Sequence, residues 1–187
     1  LVGAGTNDTR HATELVRAAG GAGADAVLVV TPYYNRPSQA GIEAHFRTLA
    51  AATDLPVVLY DIPVRTGRKI ASDTIVRLAE VDNVVGVKDA AGDPAASARL
   101  LAEAPDGFEL YSGDDSLTLP LLSIGAVGVI GVCTHWCAAE MGEMVAAHGK
   151  GDVDQARRLN VAMLDSYDYE TGDANPNPIP AKAMLRV

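Results

Sequence analysis

Short apolar runs alternate with amphipathic stretches along most of the chain. Six runs, Leu1–Gly5, Ala26–Val30, Pro56–Tyr60, Val84–Lys88, Glu109–Ser112 and Val127–Ile130, draw heavily on Val, Ile and Leu. Both alternating faces are apolar, which predicts parallel strands covered on two sides, or barrel strands, rather than half-wet antiparallel ones. Between them lie helix-length stretches with recognisable starts: Asp8-Thr9, Ser38, Ser72-Asp73, Asp93-Pro94 and Asp114-Asp115. Such residues cap the free N–H groups of a first turn, and Pro suits the first helical position. Strand then helix, repeating at roughly 28 residues, is the sequence form of a βα unit.

The pattern changes after Ile130. His135–His148 and Asp152–Tyr169 predict two successive helices with no strand between them. A Pro- and Asn-rich loop, Gly172–Pro180, follows, and Ala181–Val187 predicts the start of another helix. The expected fold is therefore α/β, a TIM (β/α)8 barrel with a C-terminal helical extension. Residues 1–150 would supply barrel strands three to eight, and residues 151–187 the start of the helical region. The first two strands would lie upstream of Leu1, because 187 residues fall short of the ~250 of a complete barrel. Both ends read as cuts through a longer protein. The runner-up is an open doubly wound sheet, but no Gly-x-Gly-x-x-Gly follows a strand, which argues against its dinucleotide-binding form.

Charge narrows the partners. A formal net charge of -9 leaves no basic face for a nucleic-acid backbone and repels anionic membranes. The most apolar stretch, Leu117 to Cys133, is interrupted by Pro120, Gly125, Gly128 and Gly131, so no membrane span is expected. Cys133 and Cys137 are spaced for buried free thiols in a reducing cytoplasm rather than a disulfide. His135 lies between them, yet the spacing offers no third and fourth ligand, so no metal is expected.

Reactive residues in βα folds collect at the carboxyl ends of strands. Here three consecutive strands run into Thr31-Pro32-Tyr33-Tyr34-Asn35-Arg36-Pro37-Ser38, Tyr60-Asp61-Ile62-Pro63-Val64-Arg65-Thr66-Gly67 and Lys88-Asp89-Ala90-Ala91-Gly92. Lys88 is one of four lysines and ends an apolar strand instead of decorating a helix. Desolvation there would disfavour its ammonium form and supply the neutral amine that imine formation needs. A structural lysine paired with Asp89 accounts for its position equally well. Tyr60 would face the same strand-end mouth, where a phenol can pass protons to a carbinolamine, or it could simply pack as an amphipathic ring. Arg65 could clamp a carboxylate or sit solvated in its loop.

These segments, with Ser112-Gly113-Asp114-Asp115, Gly128-Val129-Ile130-Gly131-Val132 and Asn177-Pro178-Ile179-Pro180, resemble the dihydrodipicolinate synthase family in the family's own order. The resemblance covers essentially the whole chain. It implies a cytoplasmic homotetramer, a dimer of dimers, that condenses pyruvate with aspartate 4-semialdehyde in lysine biosynthesis through diaminopimelate. Lys88 would carry the Schiff base, Tyr60 would donate and accept protons, and Tyr34 would reach into a neighbouring subunit's site as a relay. Arg65 would receive the semialdehyde carboxylate, while Ile130 and Gly113 would contact pyruvate. No cofactor is implied, because the imine on Lys88 is itself the electron sink.

Gly5, Asn7, His11 and Tyr33 match positions of the family's lysine-feedback site. His11 stands where lysine-sensitive members carry Glu, which removes the partner for the effector's ammonium group. The family's Gly-Thr-Thr-Gly-Glu segment, which holds the pyruvate carboxylate, is absent. Two alternatives accompany this reading: a sister pyruvate aldolase such as N-acetylneuraminate lyase or a 2-keto-3-deoxy sugar-acid aldolase, and an inactive fragment. Arg65 favours the synthase over the sugar-acid lyases.

Overall fold

The computed structural model describes residues 1–172 and 174–186. In chain order its elements are β1 (Val2–Gly3), α1 (Thr9–Gly21), β2 (Val27–Val30), α2 (Gln39–Ala50), β3 (Val57–Asp61), α3 (Pro63–Thr66), α4 (Ser72–Ala79), β4 (Val84–Asp89), α5 (Pro94–Glu103), β5 (Glu109–Ser112), α6 (Thr118–Leu122), β6 (Gly128–Val129), α7 (Ala138–Gly149), α8 (Val153–Ala162), α9 (Leu164–Thr171) and α10 (Ile179–Met184). The chain divides into two compact units, Leu1–Tyr111 and Ser112–Val187.

In the first unit the strands follow one another in sequence order from β1 to β5, and β1 through β4 pair in parallel. A doubly wound sheet would reverse its strand order at a switch point, and this order does not reverse. The helix-covered face of the sheet forms the core, while Leu28, Val30 and Tyr60 on the opposite face are only half-buried. Val27, Val29, Val57, Leu59, Val87 and Leu110 are fully buried, as are Ile42, Phe46 and Leu49 of α2.

Four of the expected helix starts cap as anticipated. The carboxylates of Asp8 and Asp93 accept from His11 N–H at 2.8 Å and Ala96 N–H at 3.0 Å. Ser38 Oγ accepts from Gly41 N–H at 3.2 Å, and Asp114 accepts from Ser116 N–H at 3.0 Å. Ser72, by contrast, is already inside α4, whose capping residue Ala71 makes no side-chain bond. The Asp114 start opens only a single 3-10 turn, Asp115–Leu117, ahead of the short α6.

The later helices depart further from expectation. A 3-10 turn, Cys133–His135, precedes α7, which therefore starts at Ala138 and not at His135. The stretch Asp152–Tyr169 is two helices, broken where Met163 turns its side chain into the core at 3% exposure. No Gly or Pro marks that break, so the hydrophobic pattern could not show it. α10 begins at Ile179, inside the expected loop, because Pro180 lies in its first turn, where no N–H is required. Asp173 of that loop and Val187 of the expected helix lie outside the described residues. The second unit packs around Cys133, Cys137, Met141, Met144, Ala156, Met163 and Tyr167. No helix among the described residues is long and apolar enough to cross a membrane.

Candidate active site

β3 and β4 pair so that Tyr60 lies opposite Lys88 and Asp61 opposite Asp89. Consecutive strand residues point to opposite faces, so the amine and phenol share one face and the two acids the other. Lys88 is 9% exposed, and its Nζ stands 4.2 Å from the centre of the Tyr60 ring. Burial raises the Tyr60 pKa, partly countered by the positive charge of Arg65. The phenol therefore stays protonated at neutral pH, as a proton donor to an oxygen leaving next to the amine must.

The acids behind this pair are engaged elsewhere. Asp89 accepts from Ala91 N–H at 2.8 Å and Ser97 O–H at 2.5 Å. Asp61 accepts from Ile70 N–H at 3.1 Å. Its pKa is pushed up to about 7, mainly by burial and further by the charge of Asp89, against the Ile70 N–H and Lys69. Both acids line a small pocket with Ile70, Ser97 and Leu100. Sequence reasoning did not single them out as anchors. The available signal was the acid that follows each reactive residue, in Tyr60-Asp61 and Lys88-Asp89.

Arg65 reaches the site from α3, a single turn that the hydrophobic pattern did not predict. Pro63 opens it, and Gly67, at φ 74°, ends it. A cleft of about 410 Å³ lies beside it, bordered by Tyr33, Tyr34, Arg36, Arg65, Thr66 and Gly67. Tyr34 is 90% exposed. Tyr34 and Arg36 take positive φ values of 72° and 47°, uncommon for side-chain-bearing residues outside constrained loops. The Arg36 carbonyl accepts from Arg68 at 3.2 Å, which ties the loop after β2 to the segment after α3. Arg36 and Arg65 put two guanidinium groups on one cleft, a setting suited to a carboxylate. Arg36 was missed as a site residue although it lies inside the motif that carried the resemblance.

The other candidate residues fall into two places. In the first unit, Asn7 O accepts from Asn35 Nδ2 at 3.0 Å, and Thr6 Oγ1 lies 3.4 Å from the Tyr33 hydroxyl. Gly5 passes so close to the Val30 backbone that a Cβ would collide with it. His11 sits in the first turn of α1, exposed, 3.3 Å from the Glu14 carboxylate. In the second unit, Ile130 N–H donates to Ser112 O at 2.9 Å, and Gly113 directly follows β5. The two cysteines are buried and free. The fold brings Asp115 and Glu170 to Cys133, with donor atoms within 4.8 Å of one another, a grouping the sequence spacing concealed.

Comparison with known proteins places this arrangement. The model of the dihydrodipicolinate synthetase family matches residues 1–187. A 4-hydroxy-tetrahydrodipicolinate synthase from Acidothermus cellulolyticus is 53% identical over 188 aligned residues, which take in 100% of this chain and 59% of that relative. The crystal structure of dihydrodipicolinate synthase from Aquifex aeolicus superposes with a TM-score of 0.95 at 37% identity, covering 99% of this chain and 63% of that one. The structure of the enzyme from Cyanidioschyzon merolae with lysine bound gives 0.95 at 42% identity, with the same coverage. The chain thus spans about three-fifths of the length of these relatives. It belongs to the dihydrodipicolinate synthetase family.

Proposed function

We propose that the protein is a 4-hydroxy-tetrahydrodipicolinate synthase that condenses pyruvate with aspartate 4-semialdehyde through an imine on Lys88. The observation that carries this reading is the Lys88 amine over the Tyr60 ring, on paired ends of neighbouring parallel strands. In the proposed sequence the neutral amine adds to the pyruvate ketone and water leaves, with Tyr60 supplying the proton to the departing hydroxyl. Loss of a methyl proton gives the enamine, whose carbon attacks the semialdehyde's aldehyde group. The semialdehyde's own amino group then displaces Lys88 from the imine and closes the ring. Arg65, with Arg36 beside it, would hold the semialdehyde carboxylate. Tyr34, exposed on a constrained loop, would serve as the relay between subunits. Ile130 and Gly113 would contact pyruvate. The imine itself is the electron sink, so no metal or organic cofactor is invoked.

The same reading makes the parallel sheet part of a (β/α)8 barrel in a cytoplasmic homotetramer, with residues 1–150 in the barrel and 151–187 entering the helical region. Gly5, Asn7, His11 and Tyr33 would line an effector pocket in which His11 gives no carboxylate to a lysine ammonium. A carboxylate-binding Arg65 favours the synthase over a sugar-acid lyase.

Borohydride reduction in the presence of pyruvate should add a lactyl-sized mass to Lys88, and Lys88→Arg should abolish it. An adduct on another lysine, or none in protein that turns over both substrates, would overturn the assignment.

A further inference from the structure

The turn after β6 leaves the sheet ladder, and one of its free N–H groups is received by the buried Asp115 carboxylate, with Glu170 set against the next. Asp115 Oδ2 accepts from Val132 N–H at 2.7 Å, and Asp115 Oδ1 accepts from the Cys133 thiol at 3.2 Å. The Glu170 carboxyl, from α9, lies against Cys133 N–H and Asp115. Asp115 is 1% exposed and Glu170 4%. Gly131 has no Cβ because one would run into the Asp115 carboxylate. Residues 131–133 are thus fitted around the pair, one residue beyond Ile130.

Two ionised carboxylates this close in an apolar setting repel strongly. Val132 N–H and the Cys133 thiol, which engage Asp115, carry no positive charge. Glu170 Oε2 is shielded from water and has no hydrogen-bond partner among the described residues. We propose that Glu170 is a neutral carboxylic acid whose proton is shared with Asp115, docking α9 onto the 131–133 turn and making Glu170 a positioning residue for the Ile130 backbone. The pKa trend agrees: burial first, then the bond and charge of Asp115, push Glu170 up to about 9, against Cys133 N–H. The other groups facing the pair are Asp114, Cys133, Cys137 and Tyr167. Burial also pushes Cys133, Cys137 and Tyr167 upward.

The link to Ile130 rests on the synthase reading; the docking does not. Trp136, the chain's one tryptophan, reports on α9 directly. Its indole N–H donates to Ser166 Oγ at 3.1 Å, and its ring meets Tyr169 edge-on at 6.1 Å. In the full-length protein, Trp136 emission should change with one transition near pH 9, and the KM for pyruvate should rise several-fold across it while kcat moves less. Glu170→Gln keeps a hydrogen-bond donor but no titratable proton, and should flatten both profiles; Tyr169→Phe removes the neighbouring phenol and should leave the transition in place. If Glu170→Gln fails to fold, the carboxyl stretch in difference infrared spectra of the Asp61→Asn protein at pH 7 and 10, which lacks the other buried acid with a raised pKa, tests the same proton. Emission that titrates unchanged in Glu170→Gln, a carboxylate signal for Glu170 at pH 7, or a stoichiometric divalent metal in purified protein would overturn the proposal. A Glu170-dependent emission transition without pyruvate trapping at Lys88 would sink the synthase reading and leave the docking intact.

Discussion

Replacing Asp61 with Asn tests whether the acid behind Tyr60 is held protonated by the fold. Asp61 is 2% exposed and keeps one hydrogen bond, from Ile70 N–H at 3.1 Å, which an Asn side-chain oxygen can also accept. Its folded pKa is about 7 against 3.8 for the ordinary group. Between those values the folded protein retains a proton that the unfolded chain has released, so stability falls as pH rises through that window. Stability is highest below about pH 4 from this group alone, and the loss is complete above about pH 7. Roughly three units at ~1.4 kcal/mol each give a ceiling of about 4 kcal/mol. Water penetration and local relaxation halve that to about 2 kcal/mol. Asp61→Asn should therefore match the unsubstituted protein near pH 4 and exceed it at pH 8 by about 2–4 kcal/mol. For a domain of this size that raises the melting temperature by roughly 4–16 °C. Thermal or urea unfolding of both proteins at pH 4, 6 and 8 measures the difference, and groups that titrate identically in the two cancel. Parallel pH profiles, or a variant that is less stable at pH 8, would refute the reasoning.

Gly86→Ala should destabilise the protein by about 1–3 kcal/mol, because its Cβ would lie 2.5 Å from the Glu109 carbonyl oxygen of the adjoining strand; thermal unfolding that matches the unsubstituted protein would show that β4 can shift freely. Arg65→Ala should raise the KM for aspartate 4-semialdehyde by roughly 10- to 100-fold, the value of a charge-assisted carboxylate contact, while pyruvate still forms its borohydride-trappable adduct. Removing that positive charge also removes the influence that lowers the Tyr60 pKa, so the alkaline limb of the rate profile should move upward; steady-state kinetics across pH reads both effects.

The parallel strands were legible because each lies within a run that is apolar on both faces, and because capping residues mark where α1, α2 and α5 begin. Lys88 stood out because a lysine ending such a run must be buried. What stayed hidden depends on contacts between distant segments. The register shift at Val57/Val58 brings Gly86, not Val85, opposite Val58, and Gly86 is packed against the Glu109 carbonyl of β5. α3 escaped notice because four residues are too short for any helical period, although Pro63 and Gly67 bracket it. Asp115 and Glu170 stand far apart in sequence and meet only through the turn after β6. A buried acid reached by a backbone N–H leaves no periodic trace.

The alternation of a strand explains why each reactive residue here is followed by an acid. With side chains pointing to opposite faces in turn, the residue after Tyr60 or Lys88 necessarily enters the helix-covered side of the sheet. There Asp61 takes the N–H of Ile70, just ahead of α4, and Asp89 takes the hydroxyl of Ser97 on α5. The strand end is the point where ladder bonding stops, so it would fray unless something beyond the sheet held it. The acids provide that hold through side chains one residue away from the reactive groups. A neutral Asp61 does so without a buried charge, whereas an ionised one would set two carboxylates against each other across the β3–β4 pair. Holding Asp61 near its protonated form therefore keeps the ends of β3 and β4 at pairing distance, the distance that sets the Lys88 amine over the Tyr60 ring.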